Sequence, residues 1–64
     1  MNGIDYTAAR EIGYTHGSTA AYVARLMLEG GESQAREWAE QAPGAYSRRG
    51  RHELVELVSA KLAA

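Results

Sequence analysis

The sequence has no cysteine, no phenylalanine, one proline and one lysine. Without cysteine no disulfide framework can form, so the reducing cytoplasm is the expected compartment. No apolar run approaches the roughly 20 residues of a membrane-spanning helix, and the first residues lack the basic and then apolar pattern of a signal peptide. The formal net charge is −1, so the basic excess typical of nucleic-acid-binding proteins is also missing.

Large apolar side chains are scarce, whereas alanine is abundant. A chain of 64 residues fits one domain, here residues 1–64, and a domain this small has little apolar area to bury. With neither disulfides nor a metal cluster to stabilise it, such a domain often relies on a partner subunit. The composition therefore favours self-association.

Two pairs of helix-breaking residues, Gly30-Gly31 and Pro43-Gly44, divide the chain into three stretches. No segment alternates apolar and polar residues long enough to form a strand. The sequence therefore predicts an all-α fold, a small bundle of three helices. The predicted helices are Asp5–Glu29, Ser33–Ala42, and a third that begins between Ser47 and Arg51 and ends near Leu62. The third helix has an apolar stripe, expected to face the core, of Leu54, Val55, Leu57, Val58 and Leu62.

The first stretch predicts one long helix with Asp5 as its N-cap. Its apolar residues keep the same helical phase across Gly13 and Gly17, which favours a continuous helix. Each interior glycine costs about 1 kcal/mol relative to alanine. The alternative is therefore a break between these glycines, with Ser18 capping a second helix and four helices in total.

Small residues recur at every fourth position of the first stretch, at Ala9, Gly13, Gly17 and Ala21. Without bulky side chains, a second helix can approach closely and gain dispersion contacts. This strip, with Tyr14 and Ala24 nearby, predicts a homodimer interface. The alternative is that the chain's own helices cover it.

A second feature is the basic cluster Arg48, Arg49, Arg51 and His52, with Tyr46 just before it. The cluster precedes or begins the third helix, where free amides and the helix dipole already favour an anion. It therefore predicts a site for an acidic partner surface, a phosphate or a nucleic acid. The alternatives are a solvated loop, or pairing of the arginines with Glu32, Glu37 and Glu40.

The segment Leu26–Trp38 matches the outline of a helix-turn-helix, two helices joined by a short glycine-containing turn. The second helix would carry Glu37 and Glu40, which face a polyanion poorly. A nucleic-acid-binding regulator that uses the basic cluster is therefore the alternative function.

Two single residues have a structural and a functional interpretation. His16 lies on the predicted apolar face, so we expect a buried histidine bonded to a carbonyl or a threonine rather than a ligand or pH switch. Trp38, the sole tryptophan, is expected to fill the core between helices. Otherwise it would be the aromatic anchor of an interface.

Catalysis has the least support. The sequence has no thiol, no phosphate-binding glycine loop with lysine and no metal-ligand spacing, so we expect no metal and no cofactor. The prediction is a small non-enzymatic protein that self-associates and binds another protein. Its size and its alanine and arginine bias suit a bacterial or bacteriophage accessory factor.

Overall fold

A computed structural model describes residues 3–64, which form three helices. They are α1 (Thr7–His16), α2 (Ser18–Glu40) and α3 (Ala45–Ala63). Both α1 and α3 pack mainly against α2, which is the central element. The described part of the chain contains no strand, and the predicted all-α bundle of three helices is confirmed.

The prediction of one continuous first helix is wrong, because α1 ends at His16. Gly17 has φ 100° and ψ 170°, a conformation that is accessible essentially only to glycine. This residue turns the chain so that α1 runs back along α2. The alternative is correct in placing a break there, but Gly17 rather than Ser18 takes the capping position, and residues 3–64 form three helices rather than four, because α2 continues through Gly30-Gly31. Gly13 lies inside α1.

The prediction of Asp5 as the N-cap is wrong, because α1 begins at Thr7 and Tyr6 is its N-cap, although the Asp5 carboxylate still binds the first helical residue. Its Oδ1 accepts hydrogen bonds from the Thr7 hydroxyl at 2.7 Å and from the Thr7 amide at 3.0 Å. Tyr6 occupies the capping position itself, so the carboxylate acts from one residue earlier. Both bonds favour the ionised form and hold the pKa of Asp5 below its ordinary value of 3.8.

The predicted boundary at Gly30-Gly31 is a kink inside α2 rather than a loop. Gly31 alone is non-helical, with φ 80° and ψ 179°. The second predicted helix is therefore the last part of α2, which ends at Glu40. The connection to α3 is residues 41–44, and α3 begins at Ala45, earlier than predicted.

The core is built from small side chains. The largest fully buried side chains are those of Val23, Val55 and Val58. Larger hydrophobic side chains pack only partly buried around this core. The buried residues are Ala9, Ile12, Ala20, Val23, Ala24, Ala35, Ala39, Ala42, Val55 and Val58.

Three side chains differ from their predicted environments. His16 is exposed in the last turn of α1, because the break at Gly17 ends the helical phase that would have buried it. Trp38 is only partly buried, at the edge of the core. Leu57, expected in the apolar stripe of the last helix, is 38% exposed, because Val55 and Val58 take the inward positions.

No helix within residues 3–64 combines the length and the apolar character of a membrane span.

Candidate functional site

Gly13 and Ala21 of the small-residue strip meet at the contact between α1 and α2, whereas Gly17 is the exposed residue that joins these helices. A Cβ atom at Gly13 would lie 2.9 Å from the Cβ of Ala21, and Ala9 and Ala24 are buried. Because the helix breaks at Gly17, these residues do not form one continuous face. They lie where the alternative interpretation, internal packing, places them.

Tyr14 is the exception among the residues of the predicted dimer interface. Its side chain is 82% exposed on the outer side of α1. It therefore stands apart from the α1–α2 contact that its neighbours form.

The basic cluster divides into an inward and an outward part. Arg48 donates through Nη1 to the carbonyl of Ala42 at 3.0 Å. Arg51 donates through Nη1 to the carbonyl of Trp38 at 2.7 Å, and its guanidinium carbon lies 4.4 Å from the centroid of the Trp38 ring. Arg51 thus adds a second donor to a carbonyl in the last turn of α2, where the helix dipole favours a cation, whereas Arg48 binds the connection between α2 and α3.

His52 joins the same junction between α2 and α3. Its Nδ1 lies 2.9 Å from Nη1 of Arg36, and its Nε2 lies 2.5 Å from Oε2 of Glu40. Since arginine can only donate, Nδ1 accepts and the ring proton is on Nε2, facing Glu40. Arg36 also donates to the carbonyl of His52 and pairs with Glu32 at 3.2 Å. The predicted pairing with the preceding segment is therefore present for His52 rather than for the arginines.

Tyr46 and Arg49 form the outward part of the cluster. Tyr46 is 83% exposed, and the Arg49 guanidinium carbon lies 5.9 Å from the centroid of its ring. Of the five residues predicted to bind a partner or an anion, these two face solvent. Of the other three, Arg51 and His52 hold α3 against α2, and Arg48 binds the connection between these helices.

Sequence reasoning missed an exposed stripe along α3, which we call the outer α3 face. Its five residues are separated by four, three, four and three positions, and all of them are exposed. The signal was present, because this spacing places residues on one side of a helix. The outer α3 face consists of Tyr46, Gly50, Glu53, Leu57 and Ala60.

A second missed feature is a notch of about 230 Å³ beside the kink in α2. Tyr22 and Trp38 meet there edge to face, with ring centroids 6.1 Å apart and planes inclined by 64°. No sequence signal pairs these two residues, because the kink at Gly31 sets their approach. The notch is lined by Tyr22, Leu26, Gln34, Glu37, Trp38 and Gln41.

The predicted helix-turn-helix in Leu26–Trp38 does not have the expected turn. A turn of three or four residues separates the helices of that motif, whereas Gly31 is the single non-helical residue here. Glu32, Glu37 and Glu40 are exposed after the kink, so this segment presents negative charge.

Within residues 3–64, no three His, Cys, Asp or Glu side chains are grouped so as to hold a metal ion. No family model, curated protein or solved structure matches the chain.

Proposed function

We propose that this protein is a non-enzymatic helical subunit that pairs with a second copy through the outer α3 face and acts by binding another protein. One observation carries the proposal: the chain buries alanine and valine but leaves large side chains uncovered. Tyr46 and Leu57, two of these uncovered side chains, lie on the same face of α3. A partner helix would give this small domain the apolar burial that it lacks.

The outer α3 face has the geometry of a helix-pairing seam. Spacings of four and three residues keep its members on one side over four turns, as in coiled coils. Gly50 and Ala60 are small, so a second helix backbone can approach closely and gain dispersion contacts. Tyr46 and Leu57 would supply most of the apolar area that is buried.

The charges beside this face are self-complementary in an antiparallel pair. Arg49 lies near the beginning of α3, whereas Glu53 and Glu56 lie near its middle. A second copy running the opposite way would bring its glutamates toward Arg49, and the symmetry would repeat the contact. Exposed pairs of this kind set orientation more than they add affinity.

Sedimentation equilibrium over a tenfold range of protein concentration tests the pairing. We expect a dimer whose dissociation constant rises at least tenfold in Leu57→Asp and in Tyr46→Ala. Tyr14→Ala is the matched control, because Tyr14 and Tyr46 are almost equally exposed. A monomer at every concentration would contradict the proposal. Loss of the dimer in Tyr14→Ala alone would place the interface on α1.

The alternative prediction, a nucleic-acid-binding regulator, has less support. Arg48, Arg51 and His52 are engaged within the chain, which leaves Arg49 as the exposed cation of the cluster. Titration of duplex DNA at several salt concentrations tests this alternative. A steep salt dependence that weakens by about one unit in Arg49→Ala would favour it. An accessory role and a cytoplasmic location remain predictions from composition.

A further inference from the structure

The notch beside the α2 kink contains a carboxylate without a partner. Three of the four acidic residues of α2 have a basic side chain as partner: Glu29 has Arg25 at 3.7 Å, Glu32 has Arg36, and Glu40 has the imidazole of His52. Glu37 is the fourth, and within residues 3–64 it forms no ion pair. It lies in the lining of the notch, next to two aromatic rings.

We infer that this notch binds an arginine side chain presented by a partner protein. The inference rests on the proposed protein-binding function and names the chemistry that the partner would supply. A guanidinium group could bond to the Glu37 carboxylate while it lies against the aromatic wall formed by Tyr22 and Trp38. The side-chain oxygens of Gln34 and Gln41 are further acceptors at the rim.

The size of the notch fits one side chain. Pockets for drug-sized molecules start at about 300 Å³, and this notch has about 230 Å³. Leu26 gives it an apolar part against which the methylene stem of an arginine can pack. An arginine therefore matches the notch along its length, with an apolar stem and a charged head.

The Trp38 ring already stacks with one arginine of the chain itself. Arg51, which does not line the notch, places its guanidinium carbon 4.4 Å from the centroid of the Trp38 ring. Its charge repels a second cation, but a guanidinium bonded to Glu37 is closer to that carboxylate than to Arg51. Since Coulomb energy falls with distance, the attraction exceeds the repulsion at equal screening.

Trp38 is the sole tryptophan, so its fluorescence reports on the notch directly. The probe is a blocked pentapeptide Gly-Ala-Arg-Ala-Gly, titrated against the intact protein. We expect a saturable change with a dissociation constant on the order of 1 mM. The same peptide with citrulline in place of arginine keeps the shape but loses the charge, and we expect it to bind at least tenfold more weakly. Equal binding of both peptides would overturn the inference.

Variants of the protein assign the site. Glu37→Gln should weaken binding of the arginine peptide about tenfold, whereas Glu11→Gln, the same change at an exposed position of α1, should leave it unchanged. Tyr22→Leu keeps apolar bulk but removes one ring, and it should also weaken binding. If Glu37→Gln binds as tightly as the wild type, the site lies elsewhere.

The outcome is independent of pairing through α3, because the same samples can be sedimented. If the protein is a dimer but does not bind the arginine peptide, only the proposed arginine site is overturned. If the protein is a monomer and binds the peptide, only the proposed pairing through the outer α3 face is overturned.

Discussion

The two contacts that α2 makes within the chain are built in opposite ways. Against α1, small residues bring two helices close together, and Gly13 has no room for a methyl group beside Ala21. Against the beginning of α3, charged side chains reach carbonyl and carboxylate groups, as Arg51 does at Trp38. The first contact is specified by shape and the second by hydrogen bonds.

The difference follows from what each end of α2 offers. The beginning of α2 is joined to α1 by one residue, Gly17, so the two helices are forced into close approach and need small side chains. The end of α2 has a partial negative charge. Arg48 and Arg51 at the start of α3 are unfavourable for their own helix, but the short connection places Arg51 at the Trp38 carbonyl in the last turn of α2 and Arg48 at the Ala42 carbonyl just beyond it.

The largest effect is expected from filling the contact between α1 and α2. Gly13→Leu forces a side chain into a space where a Cβ atom is already too close to Ala21. Overpacking of this kind typically costs up to about 3 kcal/mol, so we expect the free energy of unfolding to fall by about that amount in urea titrations.

Ala8→Leu is the matched control for this change, because Ala8 is exposed on the same helix. We expect it to change the stability by less than about 0.5 kcal/mol. If Gly13→Leu folds with unchanged stability but separates the dimer, then Gly13 faces a second copy. That result would restore the interface predicted from the small-residue strip.

The two contacts also show how much of the fold can be predicted from the sequence. The fold class and the end of the second helix before Pro43 followed from periodicity and helix-breaking residues. The break at Gly17 could not be predicted from periodicity, because the apolar residues have the same spacing in the sequence whether the helix is continuous or divided in two. The backbone conformation of one glycine decides between them.

The candidate sites were less predictable than the fold. The charges of the arginines indicated a candidate site. The sequence alone could not show that Arg49 faces solvent whereas Arg51 packs on Trp38 at the edge of the core. The outer α3 face was readable from spacing, yet Leu57 was attributed to the core because its neighbours are apolar. The notch depends on the kink at Gly31, which brings distant residues together.

A smaller effect is expected from removing one charged donor at the α2–α3 junction. Arg51→Ala loses the hydrogen bond to the Trp38 carbonyl and the stacking on the ring. Hydrogen bonds from charged groups contribute about 1.5–3 kcal/mol, and partial exposure places this one near the lower end. We expect the free energy of unfolding to fall by about 2 kcal/mol in thermal or urea unfolding.

Arg49→Ala removes an exposed arginine two positions away, whose guanidinium lies over the exposed Tyr46 ring. Measured at concentrations where both variants are monomeric, it should alter the stability by less than about 0.5 kcal/mol. Equal losses in the two variants would mean that net charge, rather than the carbonyl contact, stabilises this junction.

The smallest effect concerns the polar bond that supplements the α1–α2 contact. The Tyr6 hydroxyl donates to Glu29 at 2.5 Å, and this bond raises the pKa of Tyr6 above its ordinary value of 10.0. Because folding favours the neutral phenol, the stabilisation is fully present below pH 10.0 and is lost as the pH rises through the folded-state pKa.

Ultraviolet titration measures this pKa. Subtracting the titration curve of Tyr6→Phe from that of the wild type isolates Tyr6 among the four tyrosines. We expect the midpoint of the difference curve to lie above 10.0. A midpoint at or below 10.0 would mean that the bond is absent in solution and that shape alone holds α1 in place.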